Sequence, residues 1–234
     1  MRAPMLYGRE VRGVVLDLDG TLVNTTVDFI IMKKRVTAEL VDRGIPTSLL
    51  DPKRTTADHI ERAADYLEAK GRGEEVGNLH RSLREIMNNT EMEHVSATTA
   101  VPGAGECLGR LREGGLKLGV LTRGSRGYAL AALRHAGLDM HSEAIVCRDD
   151  FPEEEAKPNG KAMVRTAGLM SLRPAECILV GDHAMDLACA RSVSASFVGV
   201  LSGSFRAEDW ARSGCEVVID SVASLPGLLF DGKA

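Results

Sequence analysis

The chain has 234 residues, a formal net charge of −4 and 44% hydrophobic residues. That size fits one globular core with a modest insertion, and the acidic surplus with few aromatic residues argues against a nucleic-acid-binding surface. No stretch is apolar over the ~20 residues that a membrane span requires, and residues 1–12 contain no apolar signal core. The five cysteines are scattered without a CxxC pair, which reads as reduced thiols packed as small apolar side chains and predicts a cytoplasmic protein. The first strong element is a strand over 11–18, whose apolar run Val14-Val15-Leu16 runs into Asp17-Leu18-Asp19-Gly20-Thr21. Residues 24–99 have a different texture, polar and rich in Arg, Glu and Ala. Three helices are predicted there, over 28–43, 56–70 and 74–89, with Ile60, Ala63, Ala64 and Leu67 at the three- and four-residue spacing of an amphipathic face.

After Pro102-Gly103, short apolar strands alternate with helices. Strands are predicted over 116–122, 144–147, 177–180, 196–200 and 217–220, and helices over 105–113, 126–136, 161–168 and 185–192. That alternation indicates an α/β fold with a parallel sheet, in which ligands bind beyond the carboxyl ends of the strands. The chemistry-bearing residues fall at those ends. Asp17 and Asp19 start on one face of the first strand, where two like charges at the end of a buried element are costly unless a cation and a reacting group relieve them. Gly20 permits a sharp turn, and Thr21 supplies a hydroxyl. Thr122 ends the second core strand before Arg123-Gly124-Ser125, and main-chain N–H groups there can complete an anion site. Lys157-Pro158 follows the acidic run 149–155, which reads as a solvated loop from which Asp149 or Asp150 remains available. Gly181-Asp182-His183-Ala184-Met185-Asp186 follows a further strand and sets two carboxylates at i and i+4 of an incipient helix.

These four motifs, in this order and each after a strand, resemble the signatures of the haloacid dehalogenase-like superfamily of phosphohydrolases, over roughly 11–25 and 99–220. The resemblance implies a Rossmann-like core with helices on both faces, made of residues 1–23 and 100–234, and a small helical cap domain of residues 24–99. It implies Asp17 as nucleophile and Asp19 as general acid and then general base, with the Asp19 main-chain carbonyl offered to a metal. It groups Gly20, Thr122, Arg123 and Lys157 around the phosphoryl group, and Asp17, Asp19, Asp182 and Asp186 around Mg²⁺, a hard cation suited to oxygen ligands. Asp186 is either a ligand through water or an orienter of Lys157. Arg123 stands where many relatives have Asn and either reaches substrate or lies on a solvated rim; His183 reads as a loop residue near the mouth.

The layout is most similar to the phosphoglycolate phosphatase-like branch, and Asp19 separates it from the dehalogenases of the same superfamily, which lack an aspartate there. Asn24-Thr25-Thr26 departs from the acidic or Ser residue common after the first motif and leaves the substrate open. The expected activity is Mg²⁺-dependent hydrolysis of a small phosphorylated metabolite, phosphoglycolate or a sugar phosphate, with no nucleic-acid or membrane partner. The alternatives are a phosphomutase using the same aspartates and, below it, a non-catalytic binding protein. Lys33, Lys34, Arg35, His59 and Arg62 are the candidate contacts of the cap, each read as a solvated surface residue.

Overall fold

The computed structural model describes residues 4–138 and 144–232. They divide into two units, one made of residues up to 25 and from 95 onward, the other of Thr26–His94.

The first unit opens with a hairpin of β1 (Met5–Leu6) and β2 (Arg9–Glu10), turned at Tyr7 and Gly8 with positive φ. The strand that anchors the unit is β3 (Gly13–Leu16), buried at every residue. β4 (Val23–Asn24) then leads out to the helical unit of α1 (Phe29–Asp42), α2 (Thr56–Ala69) and α3 (Val76–Met92), and β5 (Thr99–Ala100) leads back. The remainder alternates as α4 (Ala104–Glu113), β6 (Lys117–Leu121), α5 (Arg126–His135), β7 (Ala144–Val146), α6 (Gly160–Leu169), β8 (Cys177–Gly181), α7 (Ala184–Ser192), β9 (Ser196–Val200), α8 (Ala207–Ser213) and β10 (Val218–Ile219).

Six of these strands form one sheet in the order β10-β9-β8-β3-β6-β7, and every pairing in it is parallel. The chain enters in the middle at β3, moves outward to β6 and β7, then crosses to the other side of β3 for β8, β9 and β10. β3 is therefore where the strand order reverses, and a doubly wound sheet opens its ligand crevice at that point. Strands buried on both faces read as continuous Val/Ile/Leu runs, as in Gly13–Leu16 and Cys177–Gly181. Leu16 pairs with Val120 on one side and Val180 on the other, so the carboxyl ends of β3, β6 and β8 lie level.

The first strand is shorter than the expected span of 11–18. Past it, the Leu18 carbonyl accepts the N–H groups of Leu22 and Val23 at 2.9 and 3.0 Å, so the chain coils through one turn while Asp17 N–H still donates to the Val180 carbonyl. β4 and β5 pair with each other, Val23 opposite Ala100 and Asn24 opposite Thr99. That ribbon belongs to the sheet-bearing unit, so the division falls at 25/26 and 94/95 instead of 23/24 and 99/100. The β1–β2 hairpin and α8 escape sequence reading because two-residue strands and a seven-residue helix carry too little periodicity.

The helical unit buries one stripe of each helix: Met32, Val36 and Leu40 of α1, Ile60, Ala63 and Leu67 of α2, Leu79, Leu83 and Met87 of α3. Asp28 caps α1 by accepting the N–H groups of Ile30 and Ile31 at 3.0 and 2.8 Å. Thr55 and Asp58 form a reciprocal capping box on α2, and Gly71 ends that helix at φ +70°. His59 is not a surface residue as expected; it is 1% exposed, and its Nε2 faces the Asp51 carbonyl at 2.9 Å. Lys33 donates to the Pro52 carbonyl at 2.5 Å, and Arg35 donates to Thr90 and Glu93, so these cations tie the helical unit together. Among the described residues no helix is long and apolar enough to cross a membrane, and all five cysteines are free thiols.

Leu179 in the middle of β8 is fully buried in the core cluster. Leu179→Ala should destabilise the protein by about 2–5 kcal/mol, the cost of lost transfer energy plus a cavity, read as a lower urea midpoint with unchanged slope.

Candidate active site

Because β3, β6 and β8 end level, the residues just beyond them meet. Asp17 follows β3, Thr122 follows β6 and Asp182 follows β8; Lys157 comes from the segment between β7 and α6, and Asp186 from the first turn of α7. Asp17, Thr122, Lys157, Asp182 and Asp186 are all at most 6% exposed.

Lys157 Nζ donates to Asp17 Oδ1 at 2.5 Å and to Asp186 Oδ1 at 2.7 Å. Burial by itself would lower the Lys157 pKa, but the charges and hydrogen bonds of the two carboxylates win and hold the ammonium above its ordinary value. Asp17 is pushed well above the usual carboxylate range, first by burial and then by Asp186, Asp182 and Asp19, against the pull of Lys157. Burial and the Asp186 charge raise Asp182 in the same direction, opposed by hydrogen bonds from Ser204 and by Lys157. The sign is consistent: three carboxylates share one ammonium, so the pocket holds more negative charge than its lysine neutralises. Single carboxylate oxygens of Asp17, Asp182 and Asp186 lie within 4.8 Å of one another. An all-oxygen, net-negative cluster fits a hard divalent cation.

Glycines give these side chains room. A Cβ on Gly181 would lie 2.5 Å from Asp186 Cγ, and one on Gly203 would fall on the Asp182 carboxylate. Ser204 N–H donates to Asp182 Oδ2 at 2.6 Å, and Phe205 N–H donates to the Asp182 carbonyl at 3.1 Å. The segment after β9, which the sequence reading did not single out, thus fixes Asp182. Asp186 has two jobs: Oδ1 receives Lys157, and Oδ2 receives the His183 N–H at 3.2 Å as part of the cap of α7. Asp186 thus contacts Lys157 directly and also belongs to the carboxylate cluster.

Asp19 is two residues from Asp17 but in different company. It is half-buried, and its Oδ1 accepts the phenol of Tyr128 at 2.5 Å. Its carboxylate is not one of the three clustered. Thr122 Oγ1 accepts the Gly124 N–H at 2.9 Å, which leaves its own proton to offer an acceptor.

Two expected phosphate contacts are otherwise occupied. Gly20 N–H donates to the Val23 carbonyl at 2.8 Å and the Gly20 carbonyl accepts Ser202 Oγ at 2.7 Å. Its contribution is clearance: φ is +78°, and a Cβ would lie 2.6 Å from Asp182 Oδ2. Arg123 Nη1 donates to the Lys157 carbonyl, so the guanidinium braces the lysine's backbone. Arg148, 3% exposed, donates through Nη1 to the Arg123 carbonyl at 2.9 Å. An arginine directly after a strand was the one available signal for it. Asp149 and Asp150 are bound to Arg126, Asp149 through its N–H and Asp150 through its guanidinium, and lie outside the cluster. His183 caps α7, its Nδ1 accepting the Met185 N–H at 3.2 Å, with its ring 4.9 Å from Phe205.

Residues 14–200 match the model of the haloacid dehalogenase-like hydrolases. The chain is 28% identical over 229 residues to a phosphoglycolate phosphatase of Chromobacterium violaceum, covering 96% of this chain and 99% of that one. It is 26% identical over 211 residues to an N-acetylmuramic acid 6-phosphate phosphatase of Pseudomonas putida, covering 90% and 92%. A solved hydrolase from Pseudomonas syringae superposes with a TM-score of 0.65 at 25% identity, covering 95% of this chain and 99% of that one. The chain belongs to the haloacid dehalogenase-like hydrolases, and within them it is an enzyme of the phosphatase type.

Among the described residues, Lys157 pairs with two buried carboxylates of the cluster. Lys157→Met should therefore destabilise the metal-free protein by about 3–5 kcal/mol, since uncompensated buried charge remains. Urea unfolding at pH 7 in the presence of chelator measures this.

Proposed function

We propose that the protein is a Mg²⁺-dependent phosphomonoester hydrolase that works through an aspartyl-phosphate on Asp17. The observation that carries this reading is the separation of the two aspartates: Asp17 is buried against Lys157, whereas Asp19 is half-buried on Tyr128. Two carboxylates in unlike surroundings suit unlike roles.

Asp17 Oδ attacks phosphorus, the bond to the ester oxygen breaks, and Asp19 gives that oxygen its proton. Asp19 then takes a proton from a water that attacks the same phosphorus, which releases inorganic phosphate and restores the Asp17 carboxylate. Lys157 offsets charge on Asp17 and the transferring group, and Thr122 donates its hydroxyl proton to a phosphoryl oxygen. Asp17, Asp182 and the Asp19 carbonyl, with Asp186 through water or as the orienter of Lys157, would hold a Mg²⁺ that, when bound, would supply positive charge offsetting the repulsion between an anionic ester and an anionic nucleophile.

The helical unit Thr26–His94 serves as the cap that selects the leaving group. The two curated relatives are named for esters with different leaving groups, which supports the phosphoryl chemistry more than any one ester. Within that class the substrate is a small phosphorylated metabolite, phosphoglycolate or a sugar phosphate. Five free cysteines accord with a reducing cytoplasm.

The test is phosphate release from a panel of phosphoglycolate, sugar phosphates, nucleotides and pyrophosphate with Mg²⁺. Asp17→Asn should lower kcat by about 10³-fold or more while the far-UV circular dichroism and the urea midpoint stay those of a folded protein. Retained turnover by that folded variant sinks the nucleophile assignment. Isomerised sugar phosphate without free phosphate would identify a mutase instead. Excess chelator should abolish release, and added Mg²⁺ should restore it; full activity in chelator would contradict the metal requirement.

A further inference from the structure

Tyr128 is the one large polar aromatic side chain in the first turn of α5, and it is 1% exposed. Its position is built by the loop that carries Thr122. Ser125 Oγ accepts the Tyr128 N–H at 3.3 Å and starts the helix. Gly124 leaves the space for the ring: a Cβ there would lie 2.8 Å from Tyr128 Cδ1. The hydroxyl meets two partners from the chain beyond β3, Asp19 Oδ1 at 2.5 Å and Thr25 Oγ1 at 3.0 Å.

A phenol has one proton, and an ionised carboxylate only accepts. Tyr128 therefore donates to Asp19, and the Thr25 hydroxyl donates to Tyr128, which gives a directed relay from Thr25 through Tyr128 to Asp19. A buried phenol clamped by its helix is a stiff anchor, whereas an aspartate on a turn rotates about two side-chain bonds. With Oδ1 engaged by the phenol, the proton that Asp19 transfers belongs on Oδ2.

We propose that Tyr128, backed by Thr25, is a positioning residue for Asp19. It holds that carboxyl apart from the Asp17–Lys157–Asp186 ion cluster and presents Oδ2 to the leaving oxygen. This rests on the reading of Asp19 as general acid. It makes α5 a second source of function besides the Thr122 loop from which it grows, and it assigns Gly124 to ring clearance.

Positioning of a general acid matters in proportion to the leaving group's need for a proton. An alkoxide leaves poorly without one, whereas a nitrophenolate leaves readily. The test is kcat/KM for a series of phosphate monoesters from alkyl through phenyl to 4-nitrophenyl, each reported as the ratio of variant to wild type so that substrate binding preferences cancel. kcat/KM covers the steps up to loss of the leaving group. Tyr128→Phe, which keeps the ring, should lower the alkyl ratio about 10–100-fold and the 4-nitrophenyl ratio less than about 3-fold. Thr25→Val should act in the same direction and more weakly. In an Asp19→Ala background, Tyr128→Phe should cost nothing further, because a residue acting through Asp19 has nothing left to act on. Equal losses across the series, or an undiminished loss in the Asp19→Ala background, would show a structural role and overturn the proposal. Asp17→Asn on the same series separates the two claims: residual release independent of Asp17 overturns the aspartyl-phosphate reading and this one with it, whereas Asp17-dependent release with a flat Tyr128→Phe profile overturns this one alone.

Discussion

The arrangement turns on one ammonium placed between two buried carboxylates. Lys157 bridges Asp17 and Asp186, and Asp182 adds a third negative group to the same pocket. Burying one unpaired charge is already unfavourable, and an excess of like charges more so. The fold tolerates this because the group lies at the carboxyl ends of parallel strands, at the reversal of strand order, where main-chain N–H groups are available and a cation can complete the balance. The site is thus a deliberate violation of core rules. That residual charge is the feature that suits the site to the proposed cation.

Holding that charge in one geometry falls to neighbours that are not themselves ionised in the cluster. Gly181 and Gly203 let Asp186 and Asp182 approach strand and loop backbone more closely than a Cβ allows. The N–H groups of His183 and Ser204 each engage one of those carboxylates. Arg123 grips the Lys157 carbonyl, and Arg148 grips that of Arg123. These contacts link the loops after β6, β7, β8 and β9, so a change in any one of them is felt at the charged groups without touching them. Such supporting contacts are what hold reacting groups within the tolerance that catalysis demands.

The sheet strands after residue 100 and the three helices of the inserted unit were legible because apolar runs and three-to-four spacing survive in a single sequence. Asp17, Thr122 and Asp182 were legible because each sits just beyond a strand end, and Asp186 because it follows Asp182 at i+4 spacing. What was not legible depends on the third dimension. Gly20 reads as a phosphate loop glycine, yet its N–H is consumed by the Val23 carbonyl one turn on. Arg123 reads as a rim or substrate residue, yet it folds back on the Lys157 backbone. Tyr128 carries no motif in the sequence that would single it out. Its hydroxyl matters only because β3 and β6 are neighbours, which places Asp19 and Thr25 opposite the first turn of α5 although they are 109 and 103 residues away in sequence.

The same strand adjacency explains how two aspartates from one turn come to stand in unlike surroundings. Asp17 is level with the strand ends, its N–H still donating to the Val180 carbonyl, and so its side chain shares the buried pocket with Lys157. One residue later the chain coils around the Leu18 carbonyl, and Asp19 is lifted out of the sheet toward α5. A nucleophilic carboxylate must stay ionised in the presence of an anionic ester, which a lysine and a cation favour. The turn at 18–23 is the element that gives two aspartates of one short segment unlike surroundings, as the proposed mechanism requires, and Gly20, with its positive φ, is the position that lets the chain make it.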